Sequence, residues 1–515
     1  MSSQSTSSLD RLSAAMDRFA VALQRRFEID LRALAAFRIA LGLLIILDLL
    51  NRTRHLREFH TDEGVLPLRA LFSDYSDVYS VHAISGEPWV QALLFAIAGG
   101  FALALILGYR TRLATVVSWF LLVSLHIRMP MVLNSGDILL RLLLFWGIFL
   151  PLGERWAIDA RRIDLPRSTL SSEATMAVLL QVFLMYFTNA IHKYGSDKWM
   201  SGEAVGFIFQ ADHLTILLGN VLADQFLLLK LFTYAWLVCI FASPLLILLT
   251  GYPRALLATA LAGMHLGMVV TLRIDLFPLI AVSGLLLFYP PAVWDRVTAL
   301  GAYLGLDTPL RARLEWLQRT APRFPSPSAS LSHPSLSTVT AGGRDAFFSV
   351  LPAMFLLLVL FANAEAVDYT EVPDPAEQVI DTTMIDQSWR MFAPNPTSNA
   401  KWFVVPGELE DGSEVDVMHG GEVDWDRPPS VDETYKSARW RKYLSNMRYV
   451  DNEKHRSYTA NYLCDRWNEE HETDVESLTI YGMTDRSGPY DDEPDVARFT
   501  LIEYDCSGDF VQESA

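Results

Sequence analysis

Long runs of apolar residues constrain this chain more than any other feature. Hydrophobic residues make up 51% of the 515 positions, and they are gathered into stretches of Leu, Ile, Val, Ala and Phe. Several stretches approach the roughly 20 residues that cross a bilayer. The sequence therefore predicts an all-α polytopic membrane bundle. About nine transmembrane helices are expected, at residues 33–50, 89–107, 113–127, 138–153, 174–191, 228–250, 254–272, 276–292 and 346–363.

The distribution of Arg and Lys predicts the orientation of these spans. Alternate predicted loops are rich in basic residues, as the positive-inside rule requires of cytoplasmic loops. The N-terminus is therefore expected in the cytoplasm and the C-terminal segment outside a plasma membrane. The polar N-terminus lacks the apolar core of a signal peptide, so the first span is expected to act as an uncleaved anchor. One outer loop breaks the pattern, and its acidic neighbours favour a packed polar loop around Arg52, Arg54 and Arg57.

The predicted spans and the segments between them divide the chain into five regions. A Pro/Ser-rich stretch, 322–338, predicts a flexible linker before the last span. A cytoplasmic N-terminal segment (1–30) is followed by a transmembrane domain (31–295) and a cytoplasmic linker (296–345). The last transmembrane helix (346–363) then leads into an extracytoplasmic domain (364–515).

The C-terminal region differs from the rest in charge. Residues 365–515 contain 34 acidic and 13 basic residues, a net charge of −21, whereas the whole chain carries −17. The membrane part is therefore slightly basic. An acidic, lysine-poor outer surface favours a halophilic prokaryote, in which carboxylates keep the protein hydrated. The alternative is an ordinary acidic extracellular domain.

Alternating patterns in this region predict a small α+β domain. Residues 402–418 predict two strands around an Asp-Gly turn, and "SLTIYGM" with "ARFTLIEY" predicts a second hairpin. Helices are expected near 433–447 and 452–469. Ahead of the first hairpin, "QSWRMFAPNP" (387–396) places aromatic residues beside two prolines. We interpret it as a segment that docks on the membrane domain, with a substrate groove as the alternative.

The cysteines indicate a disulfide and no metal site. Cys239 lies in the sixth predicted span, whereas Cys464 and Cys506 share the outer domain, where an oxidising compartment permits pairing. Two buried free thiols are the alternative. No Cys/His cluster has metal-ligand spacing, so no metal is expected. No P-loop or GxGxxG follows a strand, so neither nucleotide chemistry nor a nucleic-acid partner is expected.

Ionisable residues inside the predicted spans are candidates for function because they are costly in lipid. Asp137 and Arg141 are spaced to form an i,i+4 ion pair on one helix face. His265 has the alternative of an interhelical hydrogen bond. Lys193 ends the fifth span. A lysine shielded from water becomes a usable general base, and the alternative is a side chain that snorkels to the interface.

Three segments carry a resemblance to a known family. "YFTNAIHKYGSDKW" (186–199) resembles the catalytic lysine region of vitamin K-dependent γ-carboxylases and their prokaryotic relatives, the horizontally transferred transmembrane (HTTM) family. Lys193 falls at the place of the catalytic lysine and His192 just before it. The stretches "FHTDEGVLP" (59–67) and 107–153, with its GYR turn and PLG exit, are similar to the HTTM pattern. The resemblance covers roughly residues 30–295.

The resemblance implies an enzyme with an unusual base. In that family an amine deprotonates a reduced naphthoquinone, O2 adds, and the product removes a poorly acidic proton before CO2 is captured. Lys193 would be the initiating base, and His265 with Asn134 would orient quinol oxygens. Reduced menaquinone would be the cofactor, and His192, Asp137 and Arg141 are further candidates for binding it.

The departures from the family pattern concern the substrate. Animal carboxylases carry an Asn-His pair before the fourth span, but here Ser135 and Gly136 follow Asn134. Their large propeptide-binding luminal region has no counterpart in the acidic tail. The resemblance thus implies carboxylase-like chemistry on a secreted or surface protein that differs from the known substrates.

Two other functions fit the sequence. One is a non-catalytic membrane protein for transport or envelope assembly, whose outer domain binds a partner. The other is a quinol-dependent oxidase that does not use CO2. Besides the lipid bilayer, no partner is identified by the residues themselves, and nothing in them specifies an oligomeric state.

Overall fold

The computed structural model describes residues 3–75, 78–162, 167–322, 334–397, 399–487 and 495–513. Helices dominate the N-terminal two thirds of the chain. In chain order they are α1 Ser3–Phe27, α2 Leu31–Thr53, α3 Leu56–His60, α4 Leu68–Asp74, α5 Pro88–Leu107, α6 Thr111–Arg128, α7 Ser135–Phe149, α8 Glu173–Tyr194, α9 Asp197–Met200, α10 Ala204–Gln210, α11 Leu218–Leu222, α12 Phe226–Phe241, α13 Pro244–Leu248, α14 Gly251–Val269, α15 Phe277–Leu285, α16 Pro291–Tyr303, α17 Asp307–Thr320 and α18 Pro334–Ala366.

Each predicted span coincides with a helix, but the number nine is not confirmed. Among the described residues, four helices are long and apolar enough to cross a membrane: α2, α5, α8 and the Phe347–Ala366 part of α18. Other segments are shorter, such as α7 with 15 residues and α12 with 16. The chain is a membrane protein, and the part of it that the structure describes contains four such helices, or five if a bent pair counts as one span.

The bent pair lies at the eighth predicted span. Residues Phe277–Phe288 and α16 meet at 109°. Pro290 and Pro291 stand at the bend, where missing backbone N–H groups prevent the first helix from continuing. Much of the predicted linker 296–345 is helical in α16, α17 and α18. Its Pro/Ser-rich part at 323–333 lies outside the described residues.

The bundle is held together by apolar packing with a few buried polar anchors. Helix α2 packs against α5, and α6 packs against both α5 and α7. Arg38 of α2 is fully buried and donates from Nη1 to the Leu105 carbonyl (3.1 Å) and from Nη2 to the Trp156 carbonyl (2.6 Å). The Leu105 carbonyl lies in the last turn of α5, and Trp156 lies in the segment between α7 and α8. The guanidinium therefore joins the first helix to two later segments.

The C-terminal region forms the predicted small α+β domain. The remaining elements are β1 Ile29–Asp30, β2 Thr169–Leu170, α19 Asp374–Thr383, β3 Lys401–Val404, β4 Pro406–Leu409, β5 Glu414–Asp416, α20 Ala438–Met447, α21 Lys454–Glu470, β6 Val475–Asp485 and β7 Val496–Asp505. Long strand β6 pairs with β7 on one side and with β3 and then β4 on the other, all antiparallel. Strand β5 pairs with β4 across the predicted turn, where Gly412 has φ +80°.

The outer domain packs directly on the bundle. Its buried core continues into loops of the membrane part, where Phe59, Leu66 and Met131 join Trp440 and Tyr443. Cys464 of α21 and Cys506, just after β7, are joined by a disulfide with an S–S distance of 2.07 Å. The two predicted hairpins and two predicted helices are present, and the shared core fixes the domain on one face of the bundle.

Candidate active site

A cavity of about 790 Å³ lies where the bundle meets the outer domain. Helices α10, α11, α12 and α14 supply its apolar walls, and α8 contributes Asn189 and Lys193. The start of α7 and α20 of the outer domain close one end. Lys193 and Asn134 both line this space, which we call the Lys193 cavity.

Lys193 is buried at the end of α8, with 2% of its surface exposed. Its Nζ donates to Asn189 Oδ1 (2.8 Å) and to the Met391 carbonyl (2.9 Å). The same nitrogen lies 4.0 Å from the centroid of the Trp199 ring. Within the described part of the chain Nζ forms no ion pair. The snorkelling alternative is wrong, because the side chain turns into the protein rather than toward an interface.

Residues 387–396, the docking segment, contact α8 and α9 through backbone carbonyls. Asn189 donates from Nδ2 to the Trp389 carbonyl (2.8 Å), and Trp199 donates from Nε1 to the Phe392 carbonyl (2.9 Å). Trp389, Met391 and Phe392 all have positive φ, at 48°, 21° and 61°. Such conformations are costly for residues other than glycine. The hydrogen bonds to α8 oppose that cost, so the bundle shapes the segment.

The docking segment also forms part of the cavity wall. Met391 and Phe392 line the space into which Lys193 faces. The prediction of docking is confirmed. The alternative of a groove also has a basis, because the docked residues enclose one side of the cavity.

Asn134 begins α7 and shares the cavity with Lys193. Its Oδ1 accepts from the backbone N–H of Gly136 (2.7 Å) and of Asp137 (3.3 Å), so the side chain caps the helix. Ser135 and Gly136 line the cavity beside it. The cap uses only Oδ1 of Asn134, so the Nδ2 group takes no part in it.

His265 lies behind the cavity wall and does not line it. It is 1% exposed, and its Nε2 is 2.9 Å from the hydroxyl of Tyr186 in α8. Its ring packs edge-on against Trp236 and Phe277, both of which line the cavity. That His265 orients quinol oxygens stays a prediction, and in this structure the Trp236 and Phe277 rings lie between it and the cavity. The side chain forms the interhelical hydrogen bond considered as its alternative.

The three residues predicted to bind cofactor lie off the cavity wall. His192 is half-buried and donates from Nε2 to the Ser388 carbonyl (2.9 Å), on the docking segment. Arg141 lies 3.4 Å from His126 Nδ1 and 3.6 Å from Asp386 Oδ1. Asp137 forms ion pairs elsewhere, so the predicted i,i+4 pair of Asp137 with Arg141 is wrong. Asp137 pairs instead with Arg52 of α2 and Arg439 of α20.

Those arginines belong to a buried ion cluster between the bundle and the outer domain. Arg439 Nη2 lies 2.7 Å from Asp48 Oδ1, 3.0 Å from Asp137 Oδ1 and 3.2 Å from Asp275 Oδ2. Arg52 joins Asp48 at 2.8 Å and Asp137 at 2.6 Å. Burial opposes the charge of Arg439, but the three carboxylates raise its pKa above the ordinary value. We call these five residues the Arg439 cluster.

The outer polar loop is packed only in part, because Arg54 and Arg57 are exposed and Arg52 belongs to the Arg439 cluster. Arg57 Nη1 lies 3.0 Å from Glu63 Oε2. Glu58 accepts hydrogen bonds from His55 and from the Trp440 indole, and it lies 3.5 Å from Lys436. Burial opposes its charge, but these partners lower the pKa of the Glu58 carboxyl.

Several cavity residues were not predicted. Asn189 stands four residues before Lys193 on one helix face, so the spacing could have identified it. Arg441 and Lys442 line the cavity from the outer domain. No local signal connects them with Lys193, which lies about 250 residues earlier in the chain. Among the described residues, no group of three or more His, Cys, Asp or Glu could hold a metal ion.

The cavity opens on the apolar side of the bundle. Its wall residues with substantial exposure are all apolar or glycine, namely Leu218, Phe232, Ala260, Gly263, Gly267 and Val270. Most belong to α12 and α14, whose exposed faces are apolar. We therefore expect this side of the cavity to face the hydrocarbon part of a bilayer.

Comparison with known families gives one match. A family described as HTTM domain matches residues 27–294, just over half of the chain, and contains Lys193 and most of the cavity. No curated protein and no solved structure matches the chain. The outer domain with α20 and the docking segment lies beyond the matched residues.

Proposed function

Because the chain belongs to the HTTM domain family, we propose that it is a quinol-dependent membrane enzyme in which Lys193 is the general base. This domain is found in vitamin K-dependent carboxylase-related proteins. The proposed reaction uses reduced menaquinone and O2, with CO2 as a further reactant, to modify an extracytoplasmic substrate. The observation that carries the proposal is the buried Lys193 amine on the wall of an apolar cavity, whose hydrogen bonds to described residues all go to neutral acceptors.

The contacts of Lys193 suit a group that takes up a proton. Two acceptors, Asn189 Oδ1 and the Met391 carbonyl, match the two N–H bonds of a neutral amine. The nitrogen lone pair then remains for a substrate hydroxyl. After proton transfer, the ammonium would be stabilised by the face of the Trp199 ring, 4.0 Å away.

The cavity suits a quinol in size, polarity and access. Its volume of about 790 Å³ falls in the range of sites for drug-sized ligands. The walls are largely apolar, and the opening faces lipid, where menaquinone dissolves. When bound, the quinol supplies the reducing equivalents for the reaction with O2. The apolar walls would keep bulk water from the base.

Other residues have positioning roles in this proposal. Asn134 would donate from Nδ2 to a quinol oxygen, because its Oδ1 already caps α7. His265 would act through Trp236 and Phe277, whose rings it supports on the cavity wall. Both roles preorganise the cavity without direct proton transfer.

The decisive experiment is replacement of Lys193. Lys193→Ala should reduce epoxide formation from reduced menaquinone and O2 by roughly 10²–10⁴-fold, as expected for loss of a general base. Lys193→Arg should also be inactive, because a guanidinium does not act as a base near neutral pH. Lys198→Ala is the matched control, since Lys198 packs on Phe207 outside the cavity. Adding a small primary amine should restore part of the activity of Lys193→Ala.

A Lys193→Ala protein that forms epoxide as fast as the parent would contradict the proposal. Incorporation of labelled CO2 into membrane or surface substrates separates carboxylation from quinol oxidation alone. Epoxide without label would favour the oxidase.

A non-catalytic role is the second candidate, and one contact favours it. The bond from Lys193 to the Met391 carbonyl tethers the docking segment to α8, as a purely structural lysine would. That role predicts that Lys193→Arg keeps the segment docked and the function intact. Protease protection of residues near 391, measured alongside epoxide formation, distinguishes the two roles.

A further inference from the structure

The end of the Lys193 cavity formed by the outer domain is basic. Arg441 and Lys442 of α20 line it, together with Lys193. Asp275 is the one carboxylate among the described lining residues. It is already engaged, because its Oδ1 accepts from Asn51 (3.0 Å) and its Oδ2 lies 3.2 Å from Arg439.

Arg441 and Lys442 form no ion pair within the described part of the chain, unlike Arg439 of the same helix. Arg441 donates from Nη2 to the Arg273 carbonyl (3.0 Å), and its buried Nε has no partner there. Lys442 has neither a hydrogen bond nor an ion pair among the described residues. Burial, together with the neighbouring Arg441, lowers the pKa of Lys442, although Asp137 opposes the shift. An anion placed between these groups would relieve an unfavourable arrangement of like charges.

The route into the cavity restricts what such an anion can be attached to. The exposed wall residues, such as Leu218, Phe232 and Val270, are apolar. A polar peptide would lose hydration on passing them. The surrounding outer domain carries a net charge of −21, which also disfavours an acidic protein. A molecule with an apolar body approaches from the lipid side, so its body loses no hydration on passing these residues and its head does not cross the acidic surface.

We propose that the Lys193 cavity binds an acidic membrane amphiphile, with its carboxylate or phosphate head between Arg441 and Lys442 and its apolar body toward the opening between α12 and α14. The claim that the enzyme modifies this amphiphile rests on the proposed function. Its binding does not, because the head group is held by Arg441 and Lys442 and does not require proton transfer to the Lys193 amine. The inference replaces a protein substrate with a lipid one.

Binding can be measured with dibrominated stearate, because bromine quenches nearby tryptophans and Trp236 lines the cavity. The parent protein in phosphatidylcholine nanodiscs at pH 8 should show a saturable quenching component. Trp236→Phe should reduce that component. Dibrominated stearyl alcohol, which lacks the charge, should bind at least about tenfold more weakly than the acid.

Variants of Lys442 test the head-group site. Lys442→Gln should weaken stearate binding about tenfold, and Lys442→Arg should preserve it. Lys454→Gln is the matched control, since Lys454 is a more exposed lysine of the same domain that pairs with Asp74. Thermal unfolding of each variant shows whether it remains folded. If Lys442→Gln is unfolded, the affinity ratio of acid to alcohol in the parent decides the question.

Competition identifies the source of the acidic head. Displacement of the probe by oleate identifies a fatty acid, and displacement by dioleoylphosphatidate identifies a phospholipid. The proposal is overturned if acid and alcohol bind equally, if folded Lys442→Gln binds stearate as the parent does, or if a soluble glutamate peptide displaces the probe while neither lipid does. Epoxide formation by Lys193→Ala is measured separately, so failure of this site and failure of the proposed function are distinguishable.

Discussion

Arg439 and Lys193 are two cations buried at the same interface, and their partners differ. Arg439 is 5% exposed and meets three carboxylates within 3.2 Å. Lys193 is 2% exposed and meets two neutral oxygens and an aromatic ring. Removing one partner from a buried ion pair is strongly destabilising. We infer that Arg439 fixes the outer domain on the bundle, whereas Lys193 is kept available for chemistry.

The largest expected effect on stability is at Arg439. Arg439→Met removes positive charge that compensates the buried carboxylates Asp48, Asp137 and Asp275. The free energy of unfolding should therefore fall by about 3–5 kcal/mol. Chemical denaturation in detergent, followed by tryptophan fluorescence, measures the change. Arg390→Met, at an exposed position, is the control. An unchanged unfolding free energy would mean that the cluster does not hold the two regions together.

The disulfide should have a smaller effect that stays within the outer domain. Cys464→Ser opens a loop between residues 42 apart and should cost about 2–4 kcal/mol. Cys239→Ser is the matched control, because Cys239 is a free, half-buried thiol of α12. Proteolysis should then begin in the outer domain, while epoxide formation at low temperature persists. Equal thiol labelling of native and reduced protein would contradict the disulfide.

Acid should weaken the contact between the outer domain and the bundle through His455. This side chain is buried, its Nε2 lies 3.1 Å from the Tyr75 hydroxyl, and the rings of Tyr443 and Tyr458 pack on it. Burial lowers the pKa of His455 to about 4, although nearby Asp74 opposes the shift. The unfolded chain therefore binds the proton more readily between about pH 6.5 and 4.

This histidine should therefore contribute stability above about pH 6.5 that is lost as the pH falls toward 4, by up to about 3 kcal/mol. His455→Gln should flatten that part of the stability profile, and the exposed His471→Gln should not. Identical profiles for the parent and His455→Gln would show that His455 is not buried in its neutral form.

The smallest effect on stability is expected at Lys193. Lys193→Met retains most of the side-chain volume and loses two hydrogen bonds, so the cost should be about 1–2 kcal/mol. Epoxide formation should nevertheless be abolished. Lys198→Met serves as the control for both measurements. A loss of stability as large as that of Arg439→Met would remove the distinction between the two cations.

Much of the fold could be predicted because its signals are local. Apolar runs identified the helices. Alternating patterns identified both hairpins of the outer domain, and an Asp-Gly turn marked the first of them. The number of spans was not predictable in the same way, because hydropathy does not show that Pro290 and Pro291 turn one segment by 109°. The site was predicted in part: Lys193 and Asn134 share a cavity, but His265 lies behind its wall.

The sequence by itself determined that this chain is a helical membrane protein of the HTTM family with an acidic α+β domain and a lysine at the end of α8. Only the tertiary structure decided which charges meet. Arg439 reaches Asp137 across 302 residues of chain, and the Met391 carbonyl reaches Lys193 across 198. Periodicity reports which face of an element is apolar, but not which distant element covers it. The way in which the outer domain docks on the bundle therefore decides that Arg439 is paired with carboxylates and that Lys193 is not.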